Sequence, residues 1–210
     1  MGKLVNHKHR TNQRKRVAQE AAELLYTGQE KEYKQAKLHA AKTLSVNILP
    51  SNIEIAIELD RIADDREGQA KQQKLVQMRH DALQIMTALK SFNPVLVGSV
   101  WRGTAHHNSD IDIVTYGKNP QQIVSMLKKD NYTVTRTEVQ AVTKKGKKEQ
   151  SLHVYLNLPS GSQVEIVVRS PADINQRIKC EIFGDIIAGL TIEQLQRLLS
   201  ENPQQKFLPT

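Results

Sequence analysis

The sequence predicts an α+β protein in which a helical region precedes a mixed half of strands and helices. In the first part of the chain apolar residues recur at helical spacing, as at Val17, Ala21 and Leu24. After Asn93-Pro94 the pattern changes to short apolar runs separated by turn residues, which is typical of strands. The chain of 210 residues is long enough to bury a core.

Four helices are expected in the helical region, over residues 14–26, 30–44, 52–67 and 69–91. The third has the clearest start, because Ser51 and Glu54 have the spacing of a capping box. The apolar stripe of the fourth is interpreted as a core-facing seam.

In the mixed half, strands are expected over residues 95–97, 110–116, 132–142, 152–158 and 163–169, with a helix over 121–129. Hairpin turns are expected at residues 144–147 and 159–161, where lysine, glycine, proline and serine cluster. A further helix is expected from about Ala172 to Ala188. A short last helix should follow the capping box at Thr191 and Gln194, and residues 203–210 are expected to fray.

The net charge of +8 is concentrated in two segments. Residues 1–16 hold six basic residues and no acid, and residues 128–148 hold seven basic residues and two acids. Such patches indicate a polyanionic partner such as RNA or DNA. The alternative is a solvated tail and a lysine-rich hairpin tip that only aid solubility.

Cellular location is predicted from what the chain lacks. Cys180 is the only cysteine, which excludes an intramolecular disulfide and a cysteine-based zinc cluster. No run approaches the ~18 consecutive apolar residues of a membrane span, and the basic N-terminus has no apolar stretch behind it. We therefore expect a cytoplasmic protein without a membrane partner.

The stretch GSVWRGTAHHNSDIDI, from Gly98 to Ile113, carries the chemistry. A strand that ends in Gly98-Ser99 presents backbone N–H groups and a hydroxyl to an anion, and glycine allows close approach of a phosphate. Residues two apart on a strand project from one face, so Asp110 and Asp112 are expected side by side. Two such carboxylates repel each other unless a cation lies between them, and their oxygens are natural ligands of magnesium.

Glu165 is the best candidate for a third carboxylate, because it interrupts the otherwise apolar strand Val164–Val168. Glu138 and Glu149 are the alternatives. A pair of ions ~3.5–4 Å apart on such carboxylates can activate a hydroxyl and neutralise a leaving pyrophosphate. His106 and His107 are interpreted as solvated loop residues, because carboxylates already account for a metal.

This arrangement resembles the DNA polymerase beta superfamily of nucleotidyltransferases, whose pattern is Gly-Ser, about ten residues, and then acid-apolar-acid. Here ten residues separate Ser99 from Asp110. The form Gly-Ser-x-x-Arg-Gly-Thr followed by Ser-Asp-Ile-Asp is similar to the minimal nucleotidyltransferases and their archaeal relatives. The resemblance covers roughly residues 94–170.

The resemblance implies a nucleotidyltransferase palm with a mixed β-sheet, preceded by an N-terminal helical region. Gly98, Ser99 and Arg102 would bind the nucleotide, although Arg102 could equally be a structural salt-bridge partner. Asp110, Asp112 and Glu165 would be the catalytic and metal-binding carboxylates, holding two Mg²⁺ ions. The implied domains are a basic flexible tail (1–16), a helical region (17–92), the palm (93–170) and C-terminal helices (171–202).

The expected activity is transfer of a nucleoside monophosphate from a nucleoside triphosphate, ATP being the first candidate, to a hydroxyl, with release of pyrophosphate. The basic patches favour a nucleic-acid acceptor such as a transfer RNA end, and a protein or small molecule is the alternative acceptor. A different class of function is a non-catalytic nucleic-acid-binding module on the same fold. The N-terminal helices are a further candidate surface for a protein partner.

Overall fold

The structure is a computed structural model that describes residues 2–144 and 147–209, with side chains for residues 10–141 and 150–209. Within these residues it contains seven α-helices and five strands. The helices are α1 (Gly2–Tyr26), α2 (Tyr33–Thr43), α3 (Asn52–Glu67), α4 (Gln69–Ala88), α5 (Gly98–Arg102), α6 (Pro120–Lys129) and α7 (Ile192–Glu201). The strands are β1 (Val95–Val97), β2 (Ile111–Tyr116), β3 (Val134–Lys144), β4 (Lys147–Asn157) and β5 (Gln163–Arg169).

The chain divides into two compact units. The first comprises Met1–Lys71, His106–Asn108 and Cys180–Asp185. The second comprises Gln72–Ala105, Ser109–Lys179 and Ile186–Thr210. The division therefore falls within α4, whereas the domain bounds proposed from the sequence place it at residue 92; those bounds stay a prediction.

The first unit is a helical assembly in which α1 contacts both α2 and α3. Alanines make up half of its buried core. Among them, Ala18, Ala21, Ala36 and Ala40 each have at most 2% of their surface exposed. Ser51 caps α3 through the predicted capping box, in which the Ser51 N–H donates to Glu54 Oε2 at 2.7 Å. Helix α1 begins at Gly2 rather than near Arg14, so the helix includes most of the segment predicted as a flexible tail.

The second unit is built on a five-stranded sheet of order β1-β2-β5-β4-β3. β2 and β5 are parallel, and the other neighbouring pairs are antiparallel. The expectation of an α+β protein with a mixed sheet is thus confirmed. The parallel pair arises because β3 and β4 form a hairpin outside β5, which brings β5 back beside β2.

Alternation along the strands gives the sheet one buried face and one half-exposed face. The buried face belongs to a core to which α4, α6 and α7 also contribute; its strand residues include Ile111, Ile113, Leu152, Val154, Leu156, Val164, Ile166 and Val168. The intervening residues, among them Asp112, Glu165 and His153, lie on the opposite face. The helices therefore cover one side of the sheet, and the polar residues collect on the other.

The prediction of a helix from Ala172 to Ala188 is wrong. Only Pro171–Asp173 forms a short 3-10 turn, and the chain then folds back on itself, with a bridge between Lys179 and Ile186. Gly184 has a φ of 77°, which a helix interior does not accommodate. The following capping box at Thr191 and Gln194 is confirmed and begins α7.

Residues 203–210 were expected to fray, but residues 203–207 are bonded to the rest of the second unit. The Arg79 guanidinium donates to the backbone oxygens of Pro203 and Gln205 at 2.7 and 2.9 Å. The Phe207 N–H donates to the Arg102 oxygen at 2.9 Å. Residues 203–207, here called the C-terminal strap, are therefore held by backbone contacts that composition alone does not reveal. Every helix in the described part of the chain is too short or too polar to span a membrane.

Candidate functional site

Three strands bring Gly98, Asp112 and Glu165 together, and Asp110 directly precedes the middle one, β2. The antiparallel register of β1 with β2 sets Val97 opposite Asp112, so that Gly98 follows directly beside that aspartate. The parallel register of β2 with β5 sets Asp112 opposite Glu165. The sheet thus places Asp112 between the Gly-Ser turn and Glu165.

Gly98 opens α5 with a φ of +71°, in the left-handed region that disfavours any residue with a Cβ. A Cβ at this position would overlap the Asp112 carboxylate, with the Asp112 Cγ only 2.8 Å away. Glycine is therefore required here for both conformation and space. The backbone consequently approaches Asp112 more closely than any other residue type would allow.

The electrostatics of Asp112 reflect its crowded position. Burial, and then the nearby charges of Glu165 and Asp110, together raise its pKa to about 7. All three predicted carboxylates therefore interact at this aspartate. Without a compensating cation, the negative charge on Asp112 is unfavourable.

Glu165 has a partner that the sequence did not assign to it. His153 Nδ1 lies 2.6 Å from Glu165 Oε1, and His153 Nε2 lies 3.0 Å from Ser151 Oγ. A carboxylate only accepts, so Nδ1 donates a proton to Glu165, while Nε2 is hydrogen-bonded to the serine hydroxyl. The histidine is only 12% exposed, and the contact fixes the orientation of the Glu165 carboxylate.

Tyr155 lies opposite Glu165 across the β4–β5 pair. Desolvation raises the pKa of the Tyr155 phenol, and its hydrogen bond to Glu165 raises it further. The Arg136 guanidinium stacks over the Tyr155 ring at 4.1 Å from the centroid. A row of polar side chains therefore continues from the carboxylates to β3.

Strand order separates the alternative third carboxylates from the site. Glu138 lies on β3, beyond both β5 and β4 from Asp112, and its carboxylate is 3.6 Å from the Arg136 guanidinium. The side chain of Glu149 lies outside the described residues, as do Lys145 and Gly146 of the predicted hairpin turn. Glu165 is the candidate that the sheet puts next to Asp112.

A divalent cation fits this site by the chemistry of its donors. Three carboxylates supply hard oxygen ligands of the kind that magnesium prefers, and their mutual repulsion at Asp112 is what a cation would relieve.

Ser99 is half-buried in the first turn of α5, whereas Arg102 at its end is buried to 4% exposure. The Arg102 guanidinium stacks on Trp101 at 4.3 Å from the ring centroid and donates to the Phe207 oxygen at 3.1 Å. The hydrogen bond joins Arg102 to the C-terminal strap. Nucleotide binding by Arg102 stays a prediction.

The predicted basic segments are only partly within the described residues. Lys128, Lys129 and Arg136 of the segment 128–148 are exposed, and side chains 142–149 lie outside the description. In the segment 1–16, Arg10, Lys15 and others from residue 10 onward are exposed, and the earlier side chains are outside it. Their binding of nucleic acid stays a prediction.

His153 is a residue of the site that no motif in the sequence singles out. The alternation of Ser151, His153, Tyr155 and Asn157 was the available signal. It gives the face on which the histidine lies, but not the register between β4 and β5. The contact depends on that register.

The chain is similar to one family model and, in part, to several solved structures. A family model described as a domain of unknown function, DUF4269, matches residues 79–182, which include all the predicted site residues. No curated protein sequence matches the chain.

Parts of the chain are similar to parts of several solved structures. A Cid1 structure described for its RNA terminal uridylyl transferase activity is 16% identical, covers 46% of this chain and 30% of that one, and has a TM-score of 0.33. A cytoplasmic RNA terminal U-transferase is 18% identical, covering 56% and 34%, with a TM-score of 0.30. The GLD-2/RNP-8 complex is 12% identical, covering 55% and 40%, with a TM-score of 0.34. The chain therefore spans about a third of the length of these structures.

Proposed function

We propose that the protein is a metal-dependent nucleotidyltransferase that moves a nucleoside monophosphate from a nucleoside triphosphate to a hydroxyl, releasing pyrophosphate. The proposal rests on one observation: neighbouring strands of the sheet bring Gly98, at the end of β1, together with Asp112 and Glu165. Three interacting carboxylates beside a glycine that admits a close backbone approach suit a phosphate bound with cations.

Gly98 and Ser99 bind the triphosphate in this proposal. The first turn of α5 leaves backbone N–H groups without partners inside the helix, and these are donors for phosphate oxygens. The absence of a Cβ at Gly98 lets the phosphate approach, while the Ser99 hydroxyl adds a donor. The role of the turn is to hold the phosphate in line with the attacking hydroxyl.

Asp110, Asp112 and Glu165 hold two magnesium ions. When bound, magnesium neutralises the triphosphate charge and lowers the pKa of the attacking hydroxyl. Either Asp112 or Glu165 takes the proton of that hydroxyl. His153 keeps Glu165 turned towards the site, as the outer partner of a metal-binding carboxylate does.

A nucleic-acid acceptor, RNA first of all, is favoured by the charge of the chain. The exposed Lys128, Lys129 and Arg136 belong to the unit that carries the carboxylates. Arg136 also stacks on Tyr155, and Tyr155 contacts Glu165. A positively charged side chain therefore belongs to the same polar row as the carboxylates. Backbone phosphates bound there would position an RNA end near the site.

The test is transfer of label from each of the four nucleoside triphosphates, with magnesium or manganese, to bulk RNA and then to protein extract. We expect labelled RNA with the wild-type chain, at least about a hundredfold above the Asp110→Asn/Asp112→Asn double variant, since two metal-binding carboxylates are neutralised. A gel that separates RNA from protein identifies the acceptor class.

Asp65→Asn is the matched control, because it neutralises an exposed aspartate of α3 whose ion pair with Arg61 contributes little. It should retain wild-type transfer. Equal labelling by the wild type and the double variant would reveal a contaminant and overturn the proposal. RNA binding without transfer would instead establish the non-catalytic module, and label on protein would reassign the acceptor.

A further inference from the structure

Glu67, His106 and His107 form a compact cluster in the first unit. One ligand atom from each, a carboxylate oxygen or an imidazole nitrogen, lies within 4.8 Å of the other two. His107 Nδ1 is 3.0 Å from Glu67 Oε1. For comparison, ligands ~2.0–2.1 Å from a tetrahedral zinc ion are about 3.3 Å apart. The cluster therefore needs little rearrangement to close around one ion.

The Glu67 carboxylate is held in place before any ion binds. It is the last residue of α3, its side chain is 12% exposed, and the His107 N–H donates to its Oε1 at 3.1 Å. The Tyr26 phenol also makes a hydrogen bond to it. A ligating carboxylate oriented by outer hydrogen bonds is the usual arrangement of a metal site.

The two histidines are fixed by the same tyrosine. The Tyr26 ring centroid lies 4.5 Å from that of His107, edge-on, and 5.9 Å from that of His106. The Asn108 side-chain amide donates to the backbone carbonyl oxygen of Tyr26 at 3.1 Å, which ties the loop to the end of α1. The loop therefore presents both imidazoles on the side where Glu67 lies.

The nearby positive charge is already compensated. The Arg66 guanidinium lies 5.0 Å from the centroid of the Tyr26 ring, and it pairs with Glu23 at 2.9 Å. The carboxylate of Glu67 is thus available to a cation without breaking that ion pair. His107 is 43% exposed, so an ion can enter from solvent and keep a water ligand.

We propose that Glu67, His106 and His107 bind one divalent transition-metal ion, for which zinc is the best match. Two imidazoles and one carboxylate suit zinc, whereas magnesium prefers oxygen ligands. The ion ties residues 106–108 to the end of α3. This site shares no residue with the proposed transferase site and does not rest on that function.

The experiment uses the full chain, free of any histidine tag, stripped with chelator and desalted. Zinc is titrated in competition with a chromophoric chelator, and bound metal is counted by elemental analysis. Cobalt gives an independent readout through its visible absorption when four-coordinate. We expect one zinc per chain. In His106→Ala/His107→Ala the affinity should be at least about a hundredfold weaker, because this variant loses two direct ligands. Loss of a residue that only hydrogen-bonds to a ligand already costs about 10–100-fold.

Two further variants keep the test decisive if the double variant fails to fold. Glu67→Gln retains an acceptor for the His107 N–H but removes the charge, and should also weaken zinc binding. Tyr26→Phe removes only an outer hydrogen bond and should weaken it about tenfold. Circular dichroism and melting in chelator show whether each variant is folded.

His39→Ala is the matched control, because His39 Nδ1 lies 3.0 Å from Glu30 Oε1 in the same unit, the same separation as in the His107–Glu67 pair. It should leave zinc binding unchanged. Asp110→Asn/Asp112→Asn should also retain one zinc. Two results would overturn the proposal. One is that the wild type binds zinc no more tightly than Glu67→Gln. The other is that zinc binding is lost in Asp110→Asn/Asp112→Asn.

Discussion

Asp112 lies against Gly98 on one side and Glu165 on the other, and this position has a consequence for stability. Its unfolded carboxyl ionises near pH 3.8, whereas burial and the charges of Glu165 and Asp110 raise the folded pKa to about 7. Folding is therefore unpenalised by this group below about pH 4. It is progressively penalised as the pH rises towards 7, because the unfolded carboxyl has then released its proton while the folded one still holds it.

Asp112→Asn should consequently stabilise the metal-free protein at pH 8, by about 2–4 kcal/mol from a shift worth ~1.4 kcal/mol per pH unit. The gain should be smaller at pH 5. Urea unfolding in chelator at the two pH values measures both. A gain independent of pH would show that the carboxylate is not the source of the penalty.

His153 is expected to act through Glu165 rather than on the substrate. His153→Ala should lower kcat of the proposed transfer by about 10–100-fold and weaken magnesium binding, since the orienting hydrogen bond is lost. His153→Asn should restore part of both, because its amide N–H can replace Nδ1–H. Steady-state kinetics and magnesium calorimetry provide the measurements. Equal defects in the alanine and asparagine variants would contradict the positioning role.

At the scale of residues, the sequence predicts which groups carry charge and on which strand face they lie, but not their distant partners. The spacing of Asp110 and Asp112 predicts that they share one face, but only Asp112 lies within β2, which begins at Ile111. The pairing of Glu67 with His107 spans forty positions of chain, and it depends on where α3 ends. The two histidines were accordingly interpreted as solvated.

The strand-to-helix turn at Gly98 is the element on which the site depends. Gly98→Ala would place a Cβ against the Asp112 carboxylate and force a positive φ on alanine. We expect about 1–3 kcal/mol of lost stability from the backbone and a displaced carboxylate. Activity should fall by more than about a hundredfold, as misplacement by an ångström can cost that much.

Gly161→Ala provides the matched comparison for this turn. Gly161 has a φ of +86° but nothing within 4 Å of a Cβ. It should therefore share the loss of stability and retain full activity. Thermal unfolding and the transfer assay on both variants separate backbone strain from the clash, and equal activity in the two would exclude the clash.

Element prediction succeeded where local chemistry determines the outcome and failed where it does not. The capping boxes at Ser51 and Thr191 begin their helices as expected, because the hydrogen bonds involved span only three residues. In the segment from Ala172 to Ala188, apolar spacing suggested a helix. There the backbone instead bonds to itself around Gly184, through Cys180 and Asp185.

For the second unit as a whole, Arg79 is the residue that joins distant parts of the chain. Its guanidinium is fully buried and donates to four backbone oxygens, those of Val100, Trp101, Pro203 and Gln205. Burial lowers its pKa to about 10, so it remains charged at neutral pH. A buried cation that loses acceptors is strongly destabilising.

Truncation after Asn202 removes two of these acceptors and should destabilise the protein by about 2–4 kcal/mol, the range for an under-satisfied buried charge. Truncation after Phe207 keeps the strap and removes only the last residues, of which Leu208 is 41% exposed. It should melt like the full chain. Calorimetry on the two truncations makes the comparison, and equal melting temperatures would show that the strap does not support Arg79.

The fold class was predictable from the sequence because periodicity distinguishes helices from strands. The sheet order was not, since it depends on which strands a hairpin brings together. The position of β5 beside β2, rather than beside β1, is a property of the whole second unit. The position of the strap was not predictable either, because Arg79 binds its backbone oxygens, which every residue type carries.

The two edges of the sheet differ in how they are covered. Leu96 of β1 exchanges two backbone hydrogen bonds of 2.9 Å with Leu190, so part of that edge is closed. β3, eleven residues long, is the outermost strand on the other side. An outer strand is a template for another chain, and charged side chains such as Arg136 and Glu138 oppose such pairing. Salt weakens that protection, so concentrated stocks of the protein should keep best at low ionic strength.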